Sequence, residues 1–158
     1  MAIKLEEEFQ ELLRSLNRNN VRYLLIGGYA VILNGYIRNT TDLDVCVASD
    51  DENAIRLVRA LKEFGFDVPG LDGSLFTKPK SLVRMGFEPL KVEIINYLEG
   101  VDFEKAYSNR NVIELAGLKI DLISVEDLIA NKKAVGRHID LADVEKLEKI
   151  NKQILAEK

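Results

Sequence analysis

The chain holds one cysteine, one histidine, three prolines and no tryptophan among its 158 residues. A single thiol, Cys46, cannot close an internal disulfide. One histidine, His138, and one cysteine fall short of the ligand set a protein zinc site takes, and no serine or cysteine motif accompanies His138 to form a nucleophilic triad. Positive charge is not in excess either. The formal net charge is −4, without the basic footprint that binding to long nucleic acid needs, although a local basic pocket remains compatible with it. No apolar run approaches the ~20 residues that span a bilayer. The first thirteen residues, MAIKLEEEFQELL, are acidic and amphipathic rather than basic and then apolar, so they do not read as a signal peptide. Together these absences point to a cytoplasmic setting with no membrane partner.

What is present is apolar residues in quantity, 47% of the chain, enough to build a core. A chain of this length reads as one domain, with its core over about 1–123 and a helical part over about 124–158. Leu5, Phe9, Leu12, Leu13 and Leu16 repeat at helical spacing, and 17–20 ends that helix. Residues 21–26 form an apolar run stopped by glycine, which reads as a buried strand. A short helix over 28–33 and a strand over 42–47 follow. Asp50 and Asp51 are caps for a helix reaching Phe64, with Ile55, Leu57, Val58 and Leu61 as its apolar stripe and Gly65 as its stop. Residues 66–79 read as loop with short extended pieces. Two hairpins are expected, 81–87 with 90–96 turning at Glu88-Pro89, and 111–115 with 119–123 turning at Ala116-Gly117. Ser124 begins a helix with Asp127 three residues on, an approximate capping box. A last helix starts near Asp140, with Leu141, Val144, Leu147 and Ile150 inward. Helix–strand alternation followed by hairpins predicts an α+β fold, a mixed sheet with helices packed against it.

The chemistry concentrates in LLIGGYAVILNGYIRNTTDLDVCV. Gly27-Gly28 lies between a strand and a helix, where backbone N–H groups can face phosphate oxygens. The same pair can equally be a tight turn. Asp42 and Asp44 stand two apart in a strand, so both point to one face about 6–7 Å apart, while Leu43 and Val45 face the other. Two such carboxylates can hold Mg²⁺ beside substrate phosphates, or can be solvated at a strand end. Arg38 and Thr41 precede them. A guanidinium can fork onto a phosphate, and a threonine can order the acidic strand; solvation and strand propensity explain both residues as well.

Ile26-Gly27-Gly28 followed by Asp42-Leu43-Asp44-Val45 resembles the signature of the nucleotidyltransferase superfamily, the polymerase-beta-like fold. The GGYA…R.TTDLD form looks closest to stand-alone prokaryotic members, among them relatives of toxin–antitoxin nucleotidyltransferases. It resembles more distantly the aminoglycoside and lincosamide nucleotidyltransferases. The resemblance implies two Mg²⁺ ions (Mn²⁺ as a substitute) held by Asp42, Asp44 and a third carboxylate. It implies an NTP substrate contacted by Gly27, Gly28, Arg38 and Thr41. The third acid matches Glu93 in KVEII, with Asp121 in KIDL as the competitor. The segment SVEDLIANKKAVGRHIDLADVEKL is similar to a helical segment of many members, which places Lys132 toward the phosphates and Arg137 beside the site or acceptor. A solvated basic helix face is the other reading of that segment. The implied activity is NMP transfer from an NTP to an acceptor (RNA or tRNA, protein, or a small molecule such as an antibiotic), with pyrophosphate release. The alternative is a non-catalytic or antitoxin-like protein of the same fold. The acceptor, an antitoxin partner and oligomerisation are left open.

Overall fold

The computed structural model describes residues 5–87 and 90–157. The first helix, α1 (Glu7–Arg18), buries Phe9, Leu12, Leu13 and Leu16 and carries Glu7 and Glu8 in its first turn, where carboxylates suit the helix dipole. The chain reverses at Asn20, whose φ of 56° an asparagine tolerates, and enters β1 (Tyr23–Ile26). All four residues of β1 are buried, as an interior strand requires. A short helix α2 (Gly27–Leu33) leads to β2 (Leu43–Val47). Asp50 caps α3 (Asp51–Phe64) by accepting from the Asn53 N–H, and Gly65 closes that helix at φ 116°.

Within the expected loop the chain forms one helical turn, α4 (Ser74–Thr77), before the hairpin of β3 (Leu82–Phe87) and β4 (Leu90–Ile95). Phe87 pairs with Leu90; the turn expected at Glu88-Pro89 lies outside the described residues. A further short helix, α5 (Phe103–Ser108), is capped by the Asp102 side chain, which accepts from the Lys105 N–H. That cap was the signal for an element the periodicity does not reveal. The second hairpin, β5 (Asn111–Leu115) and β6 (Leu118–Leu122), leads to α6 (Val125–Val135) and α7 (His138–Ala156). Ser124 caps α6 through its hydroxyl, which accepts from the Asp127 N–H and donates to the Asp127 carboxylate.

The six strands form one mixed sheet in the order β3-β4-β2-β1-β6-β5. The pair β1–β2 is antiparallel, whereas β2–β4 and β1–β6 are parallel. This is the expected α+β architecture, with α1 packed on α3 and α6 packed on α7. Among the described residues no helix is long and apolar enough to cross a membrane.

Two helix faces differ from the expected stripes. In α3, Ile55 is 59% exposed, and the inward face is Asn53, Ala54, Leu57, Ala60 and Leu61. At about 100° per residue, Ile55 stands nearly opposite Leu57, so one face cannot hold both. Asn53 takes the inward place because its amide bonds the Arg22 N–H, the Arg22 C=O and the Ala48 C=O, closing the strand ends. In α7, Leu141 is 50% exposed, and the inward positions ahead of Val144 and Leu147 belong to Asp140 and Asp143. Ile150 is half-buried and covers Gly35.

Candidate active site

Where β1 gives way to α2, Gly27 takes φ 70°, a conformation that disfavours any side chain. A Cβ there would lie 2.2 Å from Asp44 Oδ2 and 2.8 Å from Asp44 Cγ. The glycine is therefore required twice, by its backbone and by the carboxylate laid against it. Gly27→Ala is expected to lower stability by about 2–3 kcal/mol and to displace Asp44; thermal unfolding of the variant beside wild type reads this directly. Gly28 has a different neighbour. A Cβ on it would lie 2.3 Å from Thr40 Oγ1, so Gly28 makes room for the loop that carries residues 38–42.

Asp44 is brought to its neighbours by strand register. It pairs with Ile26 on β1 and with Glu93 on β4. Residues paired across adjacent strands point to the same face about 5 Å apart. Asp42, Asp44 and Glu93 line one cleft of about 390 Å³, together with Gly27, Tyr97, Glu99, Asn131, Lys132, Arg137 and Asp140. Burial pushes the Asp44 carboxyl up to about 7, the charges of Glu93 and Asp42 push the same way, and Lys132 and Arg137 offset part of the rise. Glu93 is itself paired with its cross-strand partner Arg84, whose Nε donates to Glu93 Oε2 at 3.2 Å.

Asp121 lies elsewhere. It sits on β6, beyond β1 from Asp44, and its buried carboxylate is held by Arg110 Nε at 3.2 Å and Lys119 Nζ at 3.6 Å. It does not line the cleft.

The basic residues form a network that the pattern did not reveal. Lys132 Nζ lies 3.1 Å from Asp140 Oδ1 and 3.0 Å from Asp143 Oδ2, and the three side chains are only 7%, 2% and 1% exposed. Arg38 donates from Nε and Nη2 to the two oxygens of Asp143 at 2.8 and 2.9 Å. Arg137 donates to Asp140 from Nε at 2.7 Å. Burial disfavours the charged form of Asp140, but the bonds from Arg137 and Lys132 outweigh it and hold the carboxyl below the usual range. Thus Lys132 and Arg137 line the cleft, whereas Arg38 fastens the loop to α7. Thr41 stays outside the cleft and donates to Asp42 Oδ1 at 3.2 Å. Asp143 and Arg84 carried no sequence signal beyond spacing. The first sits three residues after Asp140 on one helix face. The second is fixed opposite Glu93 once Phe87 pairs with Leu90.

Among the described residues no three acidic, histidine or cysteine side chains are already gathered as a metal cage. Mg²⁺ does not need one. It takes one or two carboxylates and completes its shell with water and substrate phosphates. An all-oxygen set of clustered carboxylates, one of them pushed up to about 7 by burial and then by its acidic neighbours, fits a hard divalent cation that arrives with a phosphate ligand.

Residues 2–157 match the family model described as a nucleotidyltransferase of unknown function (DUF6036). No curated protein sequence matches the chain. Among the solved structures similar to it in fold are the following three. A Thermotoga maritima protein assigned as a nucleotidyltransferase is 21% identical at TM-score 0.53, over 95% of this chain and 91% of its own. An antigenic nucleotidyltransferase-like protein of Paracoccidioides brasiliensis is 22% identical at TM-score 0.58, over 87% and 72%. The lincosamide antibiotic adenylyltransferase LnuA, solved with lincomycin bound, is 16% identical at TM-score 0.57, over 92% and 98%.

Proposed function

This chain belongs to the DUF6036 family of nucleotidyltransferases, and from that premise we propose that it transfers a nucleoside monophosphate from an NTP to an acceptor hydroxyl. The observation that carries this reading is the register pairing of Asp44 with Glu93, beside a glycine that leaves room for the Asp44 carboxylate. Asp42, Asp44 and Glu93 would hold Mg²⁺ or Mn²⁺, which when bound neutralises phosphate charge and makes the acceptor hydroxyl more acidic. Lys132 and Arg137, which line the same cleft, attract the triphosphate and keep it oriented. In transfer the acceptor oxygen bonds to the α-phosphorus as the bond from that phosphorus to the oxygen bridging the β-phosphate breaks. Pyrophosphate leaves with that electron pair, and the hydroxyl proton passes to Glu93.

The test is incubation with each α-labelled NTP, divalent cation and cellular RNA, protein or small-molecule fractions as acceptor. Label should move to one acceptor fraction with release of pyrophosphate. Glu93→Gln should lower that transfer about 10²-fold or more with the fold retained. Asp121→Asn, which loses an ion pair outside the cleft, should keep transfer within a few-fold while melting earlier. The reverse ranking would move the third carboxylate to Asp121. Failure of every fraction to take label would sink the reading.

A further inference from the structure

Beyond the carboxylates the cleft changes character. Glu93 and Ile95 share one face of β4 by alternation, and Tyr97 lines the cleft past the end of that strand. Leu82, the cross-strand partner of Ile95, stands beside it. Leu82 and Val135 are 44% and 42% exposed, and both line the cleft. Apolar side chains from β3 and from α6 are thus left open to one space, which suits the faces of a flat ring. Among the described residues the only cations lining the cleft are Lys132 and Arg137, both bonded to Asp140.

The turn that follows Tyr97 is fastened to α6. Gly100 takes φ 74°, and a Cβ on it would lie 2.6 Å from Ala134 Cβ. Asn131 donates from Nδ2 to the Glu99 C=O at 3.0 Å. Leu98 and Val101 close the turn by pairing. With its backbone held in this way, the Glu99 side chain starts from a fixed stem. Glu99 lines the cleft and is exposed, and among the described residues its carboxylate has no hydrogen bond or ion pair. That charge gives the cleft a polarity. A triphosphate is drawn to Lys132 and Arg137 and repelled by Glu99, so the base, the uncharged part of a nucleotide, is what meets Glu99 and the apolar side chains.

Resting on the reading proposed above, we infer that Glu99 is a specificity-determining residue and that the nucleotide it selects is GTP. Guanine presents two adjacent donors, the ring N1–H and the exocyclic N2 amine, spaced to meet the two oxygens of one carboxylate. Adenine and cytosine each place an amine beside an unprotonated ring nitrogen, whose lone pair would face the carboxylate. Uracil has one N–H between two carbonyls. Guanine alone satisfies both carboxylate oxygens without setting a lone pair against them. Leu82, Ile95 and Val135 take the face of either purine, so they add affinity without choosing between the two.

Displacement of a GTP that carries a fluorescent methylanthraniloyl group on its ribose, in Mg²⁺, tests this without requiring turnover. Unlabelled GTP should compete about tenfold or more better than ATP, CTP or UTP, the effect of a charge-assisted hydrogen bond. Inosine triphosphate keeps the N1–H and lacks the N2 amine, so it should fall between GTP and ATP. Glu99→Gln should bring GTP to within a few-fold of ATP. A loss of stability would weaken every nucleotide alike, so the change in ratio separates selection from a structural role. Equal competition by the four triphosphates overturns the inference, as does a GTP preference that Glu99→Gln leaves intact. So does a Glu99→Gln protein whose nucleotide preference is unchanged and whose KM for the acceptor is raised, because the carboxylate would then serve the acceptor. Transfer that draws on all four NTPs alike would overturn the inference and leave the transferase reading standing. A GTP preference that depends on Glu99 in a protein that transfers nothing would keep the base selection and remove the transferase reading.

Discussion

Asp44→Asn is expected to abolish transfer while raising the melting temperature of the metal-free protein. Both effects come from one cause. The Asp44 carboxyl is pushed up to about 7, first by burial and then by Glu93 and Asp42. In the unfolded chain it titrates near 3.8. Between those values the folded protein keeps a proton that the unfolded chain has released, so stability falls as pH rises from about 4 to about 7 and stays reduced above. At pH 8 the charged carboxylate costs the metal-free fold roughly 2–4 kcal/mol. Asparagine keeps the shape beside Gly27 and carries no charge, so the variant should melt roughly 5–10 °C higher at pH 8. At pH 4 the two proteins should melt together. Mg²⁺ with an NTP should raise the wild-type midpoint and leave that of the variant in place, because the ion loses its charged ligand. Transfer should drop about 10³-fold. Calorimetry at the two pH values, with and without Mg²⁺ and NTP, checks each part. A variant less stable than wild type at pH 8, or one that still transfers, would show that Asp44 is not an uncompensated carboxylate at the reacting centre.

Lys132→Met carries the second large effect, in the opposite direction. Lys132, Asp140 and Asp143 are almost wholly buried. Removing the ammonium leaves two buried carboxylates supported only by Arg137 and Arg38. Breaking such a pair from one side costs about 3–5 kcal/mol, because the remaining charge cannot return to water. The variant should therefore melt roughly 10 °C lower at neutral pH. Asp140 provides the sign of the pH dependence. Its folded value lies below the ordinary one, so its pairing stabilises the fold above the unfolded value and is lost as pH falls through the folded value. The gap between variant and wild type should accordingly narrow on acidification. A second substitution, Asp140→Asn, should recover part of the loss at neutral pH by removing one uncompensated charge. If Lys132→Met leaves the melting temperature unchanged and only weakens NTP binding, the lysine is a free phosphate ligand and not a member of a buried network.

The two substitutions bear on why the placement of some candidate site residues was legible in the sequence and that of others only in part. Asp42 and Asp44 were legible because a strand period of two places them on one face whatever else the chain does. Gly27 was legible because a strand stopped by glycine marks a backbone requirement. The partners of those residues were not, since partnership depends on register between strands far apart in sequence. Glu93 and Asp121 sit in near-identical local patterns, KVEII and KIDL. Only the parallel pairing of β2 with β4 puts the first beside Asp44, and only the position of β6 beyond β1 puts the second with Arg110.

Helix faces failed for a related reason. Periodicity finds apolar stripes, and α7 turns two aspartates inward. Such a face is stable only when cations from elsewhere, here Lys132 and Arg38, arrive to neutralise it. By itself the sequence determined what short-range sterics and strand alternation dictate: the order of strand, glycine, helix and acidic strand, the caps at Asp50 and Ser124, and the α+β class. Tertiary structure decided which charges meet. It bonded Arg38 to Asp143, set Gly28 against Thr40, and paired Arg84 with Glu93. Electrostatic neighbours are set by folding in three dimensions, over separations that no local pattern encodes.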